Sequence, residues 1–519
     1  MPIRFDIDIE VFAGPDAAPD ATALQAAVEA GLRECWPAFG LPAEPAVQVR
    51  ALPEAADLFE FTLRFNGEWV PVPVAQPGLP APPLAFRILH AIFTHRTRLI
   101  TDEQLRLLRA QLTETDRPAR SWTSAPLPVW RAAATLLLEH GYSLDRLDDC
   151  FEYWSPDRSP EEAFERLIER PEVLTMTLSV SPQLAAANPG AAVSDWGALA
   201  TGFYTEAFLN WGILLPQLQV ETDKELSGGQ FRLRLNDLWA PVLAGPEPGE
   251  VLYDRPGPDA SVFVPTPGRY FAKTPGPEQP DPAVDGPWTY VFDWIRFWSG
   301  QCPGWYVNTG IIDALLDNME ENNRALIVMI REQWPTHRLC ALLRSLLREG
   351  VSIRNLAEIL DVLLRVDGPL AVDDTQHLLF FSPVSRVVTV PPGAALRAPG
   401  IAQLAGQVRA GLKYPVSFPY MRGGVLPAYN LDPALLRDLR EGFFEHAIPE
   451  PGTAFARLLK SIRTYTAAEL PRPVLIVPTG IRAAIVTTLR PYFPQMAILG
   501  NDELPPFFIP QIQAIINLT

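Results

Sequence analysis

The chain has 519 residues and a net charge of −17, long enough for about two to four domains and a sizeable buried core. Its 48% hydrophobic and 20% charged content are those of an ordinary globular protein. The acidic balance argues against nucleic acid and anionic membrane surfaces, both of which need a basic face.

Proline, with 55 residues, is present at about twice its usual share. It clusters in stretches such as "VPVPVAQPGLPAPP" and "TPGPEQPDP", which read as stiff connectors. The N-terminal "MPIRFDIDIEVFAG" is acidic and alternates as a strand does, unlike a signal peptide. Cys35, Cys150, Cys302 and Cys340 form no CxxC pair, which fits a reduced, cytoplasmic-type protein. No window free of charge and proline is long enough to span a membrane; "RALIVMIREQW" comes nearest.

Further along, the chain echoes itself. "FTLRFNGEWVP" (Phe61 to Pro71) matches "FRLRLNDLWAP" (Phe231 to Pro241): each alternates as a strand, turns at Asn66-Gly67 or Asn236-Asp237, and then presents a tryptophan and a proline. Before each lies a helix closing on "WPAFGLP" or "LNWGILLP", with Gly40 and Gly212 expected in the left-handed conformation. "ILHAIFTHRTRLITDEQLRLLRAQL" then parallels "IIDALLDNMEENNRALIVMIREQW", and "VWRAAATLLLEHGYSLDRL" parallels "RLCALLRSLLREGVSIRNL". Four matches in one order point to a tandem duplication. The second copy carries a much longer connector, an inserted subdomain rich in aromatics: Tyr253, Phe263, Tyr270, Phe271 and Trp288. Some of these would form its small core, and others would face a partner, since aromatics supply binding energy at low entropic cost.

In the second copy, Leu339 to Arg348 carries an apolar stripe of leucines. Gly350 is placed to end that helix, and Ser352 to cap a new one from Ile353 onward, a cap worth about 1 kcal/mol. Arg354 would then sit in a first helical turn, where the dipole disfavours a cation; it reads either as a solvated surface arginine or as one that reaches an acid on another surface, internal or on a neighbouring subunit. The first copy has Asp145 at that position. Near the C-terminus, "PVLIV" reads as a buried strand, Gly480 to Arg490 as a helix and "MAILG" as a second strand.

No GxxxxGK, GxGxxG, HExxH or GxSxG motif is present. His90 and His95 lack companion ligands, and the acid pairs Asp148-Asp149, Glu320-Glu321 and Asp373-Asp374 read as solvated rather than as a catalytic pair in two different environments. The expectation is a protein without catalytic residues, metal or cofactor.

The segments "LLREGVSIRNLAEIL", "WGILLPQLQVETDKELSGGQFRLRLND", "DPAVDGPW", "LAGQVRAGL", "YNLDPALLRDL" and "PVLIVPTGIRAAIVTTLRPYFPQMAILGNDEL" resemble, in order, the cytoplasmic region of the FHIPEP family. These are the export-gate proteins of flagellar and injectisome type III secretion. The resemblance runs over about 175–519. It implies a four-subdomain α/β layout, a nonameric ring below the export channel, and a groove beside the inserted subdomain that receives chaperones, substrates and gatekeeper proteins. This chain departs from the family by a degenerate repeat in place of the multi-helix membrane domain, by Asn355 where an acid commonly follows the turn arginine, and by an insertion at about 367–400.

The expected fold is α/β (α+β) and multidomain, a duplicated strand-helix plus helical unit with a C-terminal α/β domain. The expected boundaries are 1–158 for the degenerate repeat, 175–310 for the first export-gate-like domain with its insert at about 245–287, 311–400 for the helical domain and 401–519 for the last. The expected function is a non-enzymatic, cytoplasmic secretion component docking chaperone–substrate complexes or apparatus proteins. The alternative is a pseudo-dimer that caps or modulates an export-gate ring. Tyr253, Phe263, Tyr270, Phe271 and Trp288 are the expected partner contacts, and Asp145, Arg354 and Asn355 the expected subunit or inter-repeat contacts.

Overall fold

A computed structural model describes residues 4–12, 20–52, 58–74, 84–114, 125–156, 159–169, 174–186, 193–245, 251–253, 260–263, 270–272, 287–366, 379–380, 388–389, 401–440, 453–466 and 473–517. The chain divides into two compact units. One comprises Met1–Glu54, Phe61–Val70 and Leu79–Gly310; the other comprises Ala55–Glu60, Pro71–Gly78 and Ile311–Thr519.

The first unit opens with β1 (Arg4–Phe12), α1 (Ala21–Cys35), β2 (Glu44–Leu52), β3 (Phe61–Phe65) and β4 (Glu68–Val70). Phe5, Ile7, Ile9 and Val11 alternate inward along β1 and are buried, the period-2 pattern of a strand with one face on a core. The sheet order is β2-β1-β3-β4, with β2 parallel and β3 antiparallel to β1. A helical lobe follows: α2 (Leu84–Thr94), α3 (Asp102–Glu114), α4 (Leu127–Glu139), α5 (Leu147–Glu152) and α6 (Pro160–Ile168).

The second copy then begins with β5 (Met176–Val180), α7 (Pro182–Ala186), α8 (Val193–Trp211), β6 (Leu218–Thr222), β7 (Phe231–Leu235) and β8 (Leu238–Trp239). Its sheet order is β6-β5-β7-β8, again with the second strand parallel and the third antiparallel. The echo read from the sequence is therefore an echo of topology. Its turns agree in detail. Asn66 (φ 48°) and Asn236 (φ 55°) both adopt the left-handed conformation, which asparagine tolerates better than other side chains. Each ties the hairpin to the first strand of its sheet: Asp6 N–H donates to Asn66 Oδ1 (2.9 Å) and Thr175 N–H to Asn236 Oδ1 (3.2 Å). Gly40 and Gly212 take φ of 66° and 72°.

The insert forms a three-stranded antiparallel sheet of β9 (Val251–Tyr253), β10 (Ala260–Phe263) and β11 (Tyr270–Ala272), in the order β10-β11-β9. α9 (Pro287–Gln301) returns the chain to the aromatic core of the unit, where Trp294 meets Phe86 at 5.0 Å and Trp298 meets Phe93 at 5.2 Å between ring centroids. These edge-on pairs pack α9 of the second copy against α2 of the first.

The second unit takes up α10 (Thr309–Gln333) from Ile311 onward, then α11 (Thr336–Arg348) and α12 (Leu356–Arg365). The helical path of α10 breaks at Asn323 (φ −134°, ψ 38°), at the place where the first copy parts α2 from α3. After β12 (Leu379–Phe380) and β13 (Val388–Thr389), an antiparallel pair, come α13 (Ile401–Gly411), α14 (Lys413–Ser417), β14 (Leu426–Leu431), α15 (Pro433–Arg440), α16 (Ala454–Thr466), β15 (Val474–Val477), α17 (Thr479–Leu489), β16 (Ala497–Gly500) and β17 (Pro510–Ile516). The last four strands form an all-parallel sheet in the order β16-β15-β14-β17. Val474, Leu475, Ile476 and Val477 are all buried, as the apolar run of a strand covered on both faces requires.

Two sequence readings need correction. α12 begins at Leu356, with Asn355 at its N-cap position, so Arg354 lies before the helix and not in its first turn. Ser352 Oγ accepts the Arg354 N–H at 3.3 Å, closing a local turn two residues on in place of capping a helix. Asp148, expected in solvent beside Asp149, is buried.

Candidate functional site

The turn after α4 and the turn after α11 have the same construction. Tyr142 N–H donates to the Leu137 carbonyl and Val351 N–H to the Leu346 carbonyl, each at 2.9 Å. Gly141 (φ 82°) and Gly350 (φ 79°) supply the left-handed residue that this helix ending needs. Ser143 Oγ accepts from Asp145 N–H at 3.2 Å, as Ser352 does from Arg354.

In the first copy this turn receives the hairpin of the second copy. Asn236 Nδ2 donates to the His140 carbonyl and Asp237 N–H to the Gly141 carbonyl, both at 3.0 Å. These satisfy carbonyls that a helix end leaves open. Asp237 Oδ2 accepts from Ser143 N–H (3.2 Å) and from Arg146 Nε, and Asp237 Oδ1 accepts from Arg146 Nη2 (2.7 Å). The hydrogen bond to Asp237 raises the Arg146 pKa above its ordinary value. A two-point guanidinium–carboxylate contact fixes direction as well as distance.

A second support lies beneath. Trp305 Nε1 donates to the Glu139 carbonyl at 2.7 Å, and a Cβ at Gly141 would stand 2.5 Å from the Trp305 ring. Arg96 donates to the carbonyls of Phe93, Leu138 and Glu139, and its guanidinium lies 4.7 Å from the Trp305 centroid. A cation at the C-terminus of α4 is also stabilised by the negative end of the helix dipole.

Beside the contact opens a polar cleft of about 570 Å³ whose walls include Glu34, Asp145, Arg146, Arg232, Asp237 and Trp239. Arg232 stacks on Trp239 at 4.3 Å while bonding Asp223 at 2.6 Å. Burial pushes the Glu34 carboxyl up, and the Arg232 charge opposes that rise. Stacking and ion pairs hold these mixed charges in place.

The second unit holds a different polar centre next to its own turn. Arg409 and Glu503 pair at 2.8 and 2.9 Å, both buried, and Arg482 joins them 3.1 Å from Glu503. Glu349, the residue before Gly350, binds Arg482 and lies 3.4 Å from Arg409. Burial works against the Arg409 charge, but its hydrogen bond to Glu503 and the nearby carboxylates hold its pKa above the ordinary value. Helix α11 is thereby fastened to α13, α17 and the loop after β16.

The expected site residues distribute as follows. Asp145 lies in the inter-repeat turn and lines the cleft, but the cross-repeat ion pair is made by its neighbour Arg146. Arg354 and Asn355 are exposed at the matching turn of the other unit, with Asn355 Nδ2 donating to Glu358 at 2.7 Å. Tyr253, Phe263, Tyr270 and Phe271 fall on β9, β10 and β11, with Tyr270 in register with both Tyr253 and Phe263; their side chains lie outside the described residues. Trp288 is buried at the start of α9. Asp373 and Asp374 also lie outside the described residues. His90 is set among Phe86, Phe297 and Trp298, and burial lowers its pKa to about 4. Among the described residues no group of three or more His, Cys, Asp or Glu could hold a metal ion, and no helix is long and apolar enough to cross a membrane. Sequence reasoning missed Arg146, Asp237, Trp305 and the Glu349 cluster. Only Asp237 left a local signal there, as a hairpin-turn acid.

Over 66% of the chain this architecture is the fold of the cytoplasmic domains of type III secretion export-gate proteins, as the FHIPEP resemblance implied. The Chlamydia pneumoniae CdsV protein is similar over 66% of this chain and 98% of its own, at 18% identity and a TM-score of 0.51. The complex of Chlamydia pneumoniae CdsV and CdsO gives the same figures, and the Shigella flexneri MxiA protein matches over 66% and 99% at 14% identity and a TM-score of 0.45. No family profile matches the sequence, and no curated protein matches it.

Proposed function

We propose that this protein is a non-enzymatic component of a type III secretion apparatus that docks chaperone–substrate complexes or other apparatus proteins. The observation that carries this reading is the fold match to CdsV, which takes in nearly all of that chain. CdsV is also found in complex with CdsO, which supports a protein-binding role for this scaffold. The aromatic strands of the insert, with Tyr253, Phe263, Tyr270 and Phe271, are the proposed partner surface, and Trp288 anchors the helix that follows them. Immobilising the full chain and presenting chaperones and apparatus proteins from the same cell should give saturable binding. Binding should weaken when Tyr253 and Phe271 are replaced by alanine; failure across the whole set would sink the reading.

A second reading, a structural or regulatory pseudo-dimer that caps or modulates an export-gate ring, is favoured by the Arg146–Asp237 contact, through which one copy holds the other as a neighbouring subunit would. A closed ring formed by this chain alone, seen in light scattering, would end that reading.

A further inference from the structure

The two copies part just after their matching hairpins. In the second, the chain folds back on its own sheet: Leu243 N–H donates to the Phe231 carbonyl at 2.9 Å, and Phe231 N–H to the Leu243 carbonyl at 3.0 Å. Aligned on the shared tryptophans Trp69 and Trp239, the first copy has Phe61 in place of Phe231 and Pro73 in place of Leu243. Proline has no N–H, so Pro73 cannot form the two-way bridge that would hold this segment to β3.

The segment is seated elsewhere. Ala55–Glu60 and Pro71–Gly78, the stretches on either side of the β3–β4 hairpin, belong to the second compact unit, whereas the hairpin itself belongs to the first. Val74 N–H donates to the Tyr492 carbonyl at 3.0 Å, in the turn that follows α17. Val72 and Val74 are buried and Pro73 between them is exposed, the alternation of an extended segment with one face on a core.

The other flank of the hairpin comes to the same place. The Phe59 ring lies 6.1 Å from that of Tyr492, and Phe455 of α16 stands edge-on to Tyr492 at 5.4 Å. All three rings are buried. Pro71 and Pro73 fix the backbone of the segment before it docks, so less conformational entropy is lost in seating it.

We infer that Pro71–Val74 is an intramolecular ligand, a strap by which the first repeat fills an extended-segment site on the C-terminal α/β domain at Tyr492 and Phe455. A main-chain hydrogen bond and alternate apolar side chains are what such a site recognises. A partner that engages it has to present an extended segment, apolar at alternate positions, and has to displace the strap. The strap lies outside 175–519, the part of the chain that resembles export gates, and the site uses none of the insert's aromatic residues. This inference and the secretion reading can therefore fail separately.

Hydrogen exchange of the full chain supplies two tests. In Glu503→Ala, which loosens the C-terminal domain directly, the Val72 and Val74 amides should exchange at least about tenfold faster, in step with those of β15, while β3 keeps its wild-type rates. Strap amides that do not respond, or that follow β3, would overturn the inference. In Val72→Ser/Val74→Ser the strap is released, and the Tyr492 and Phe493 amides, which donate to the Leu489 carbonyl, should exchange faster than in the wild type. A synthetic peptide of residues 70–76 should restore their protection in that variant when added at millimolar concentration, the effective concentration of a tethered ligand. A scrambled peptide of the same composition should not. Unchanged exchange at Tyr492 in the released variant, no recovery with the peptide, or equal recovery with the scrambled one would each sink the strap.

Discussion

Arg146 and Asp237 are 91 residues apart and join two copies of one fold by a two-point ion pair. The relationship is supported on the Asp237 side by Ser143 N–H and by the hairpin N–H donated to Gly141. With side-chain exposures of 29% and 21%, the pair is sheltered enough to matter. Asp237→Ala leaves a half-buried guanidinium and the Ser143 amide unpaired, a loss of about 2 kcal/mol. Arg146→Ala should cost less, because the Asp237 carboxylate keeps the Ser143 N–H as a donor. The double substitution should fall short of the sum by about 1 kcal/mol, as neighbours in one network do. Urea unfolding of the three variants is the measurement, and strict additivity would show the pair to be idle.

The two turn glycines share a conformation and differ in surroundings, so they separate backbone strain from packing. At Gly350 a methyl group meets open space, and Gly350→Ala should cost only the left-handed strain, about 1 kcal/mol. At Gly141 the same methyl drives into the Trp305 ring and adds an overpacking cost of about 1–3 kcal/mol. Equal losses at the two sites, read by thermal unfolding, would mean that Trp305 gives way freely.

The parts of this architecture set by neighbours in sequence were legible before any coordinates. Gly141-Tyr142-Ser143 and Gly350-Val351-Ser352 announce a helix ending, because a left-handed residue and a turn hydroxyl are local requirements. The paired sheets were legible because β3 and β7 repeat the same alternation and the same asparagine turn. Where α12 begins was misread because a serine hydroxyl can serve the amide two residues on as readily as the one three on, and sequence does not distinguish them. The Arg146–Asp237 lock and the Glu349–Arg482–Glu503–Arg409 cluster were not legible at all. Their partners are brought together only by the tertiary fold, and a surface arginine looks the same in sequence as a buried one.

That cluster makes its own prediction. Glu503 is buried and shared by Arg409 and Arg482, and it also accepts Gly500 N–H at 3.1 Å. Glu503→Ala leaves two buried guanidinium groups to share the single carboxylate of Glu349 and should cost about 3 kcal/mol. Replacing Arg409 and Glu503 together by methionine and leucine should recover part of that loss, since it removes a buried charge of each sign. Chemical denaturation monitored in the C-terminal domain would read both variants, and a double variant worse than Glu503→Ala would contradict the desolvation argument.

His90 gives the fold an acid-sensitive point. Burial against Phe86, Phe297 and Trp298 lowers its pKa from the ordinary 6.5 to about 4, so the folded state binds the proton less readily than the unfolded state does. The stability contributed by keeping His90 neutral is therefore complete above pH 6.5 and declines as pH falls from there toward 4, below which both states are protonated and no further loss arises. The full decline is on the order of 3 kcal/mol. His90→Phe keeps an aromatic ring in the cluster and removes the titration, so the difference in unfolding free energy between variant and wild type should move in favour of the variant from pH 7 to pH 4.5. The acid-labile carboxylates of the rest of the chain are common to both proteins and cancel in that difference. A difference that stays flat with pH would show that the imidazole is as accessible to protons in the folded protein as in the unfolded chain.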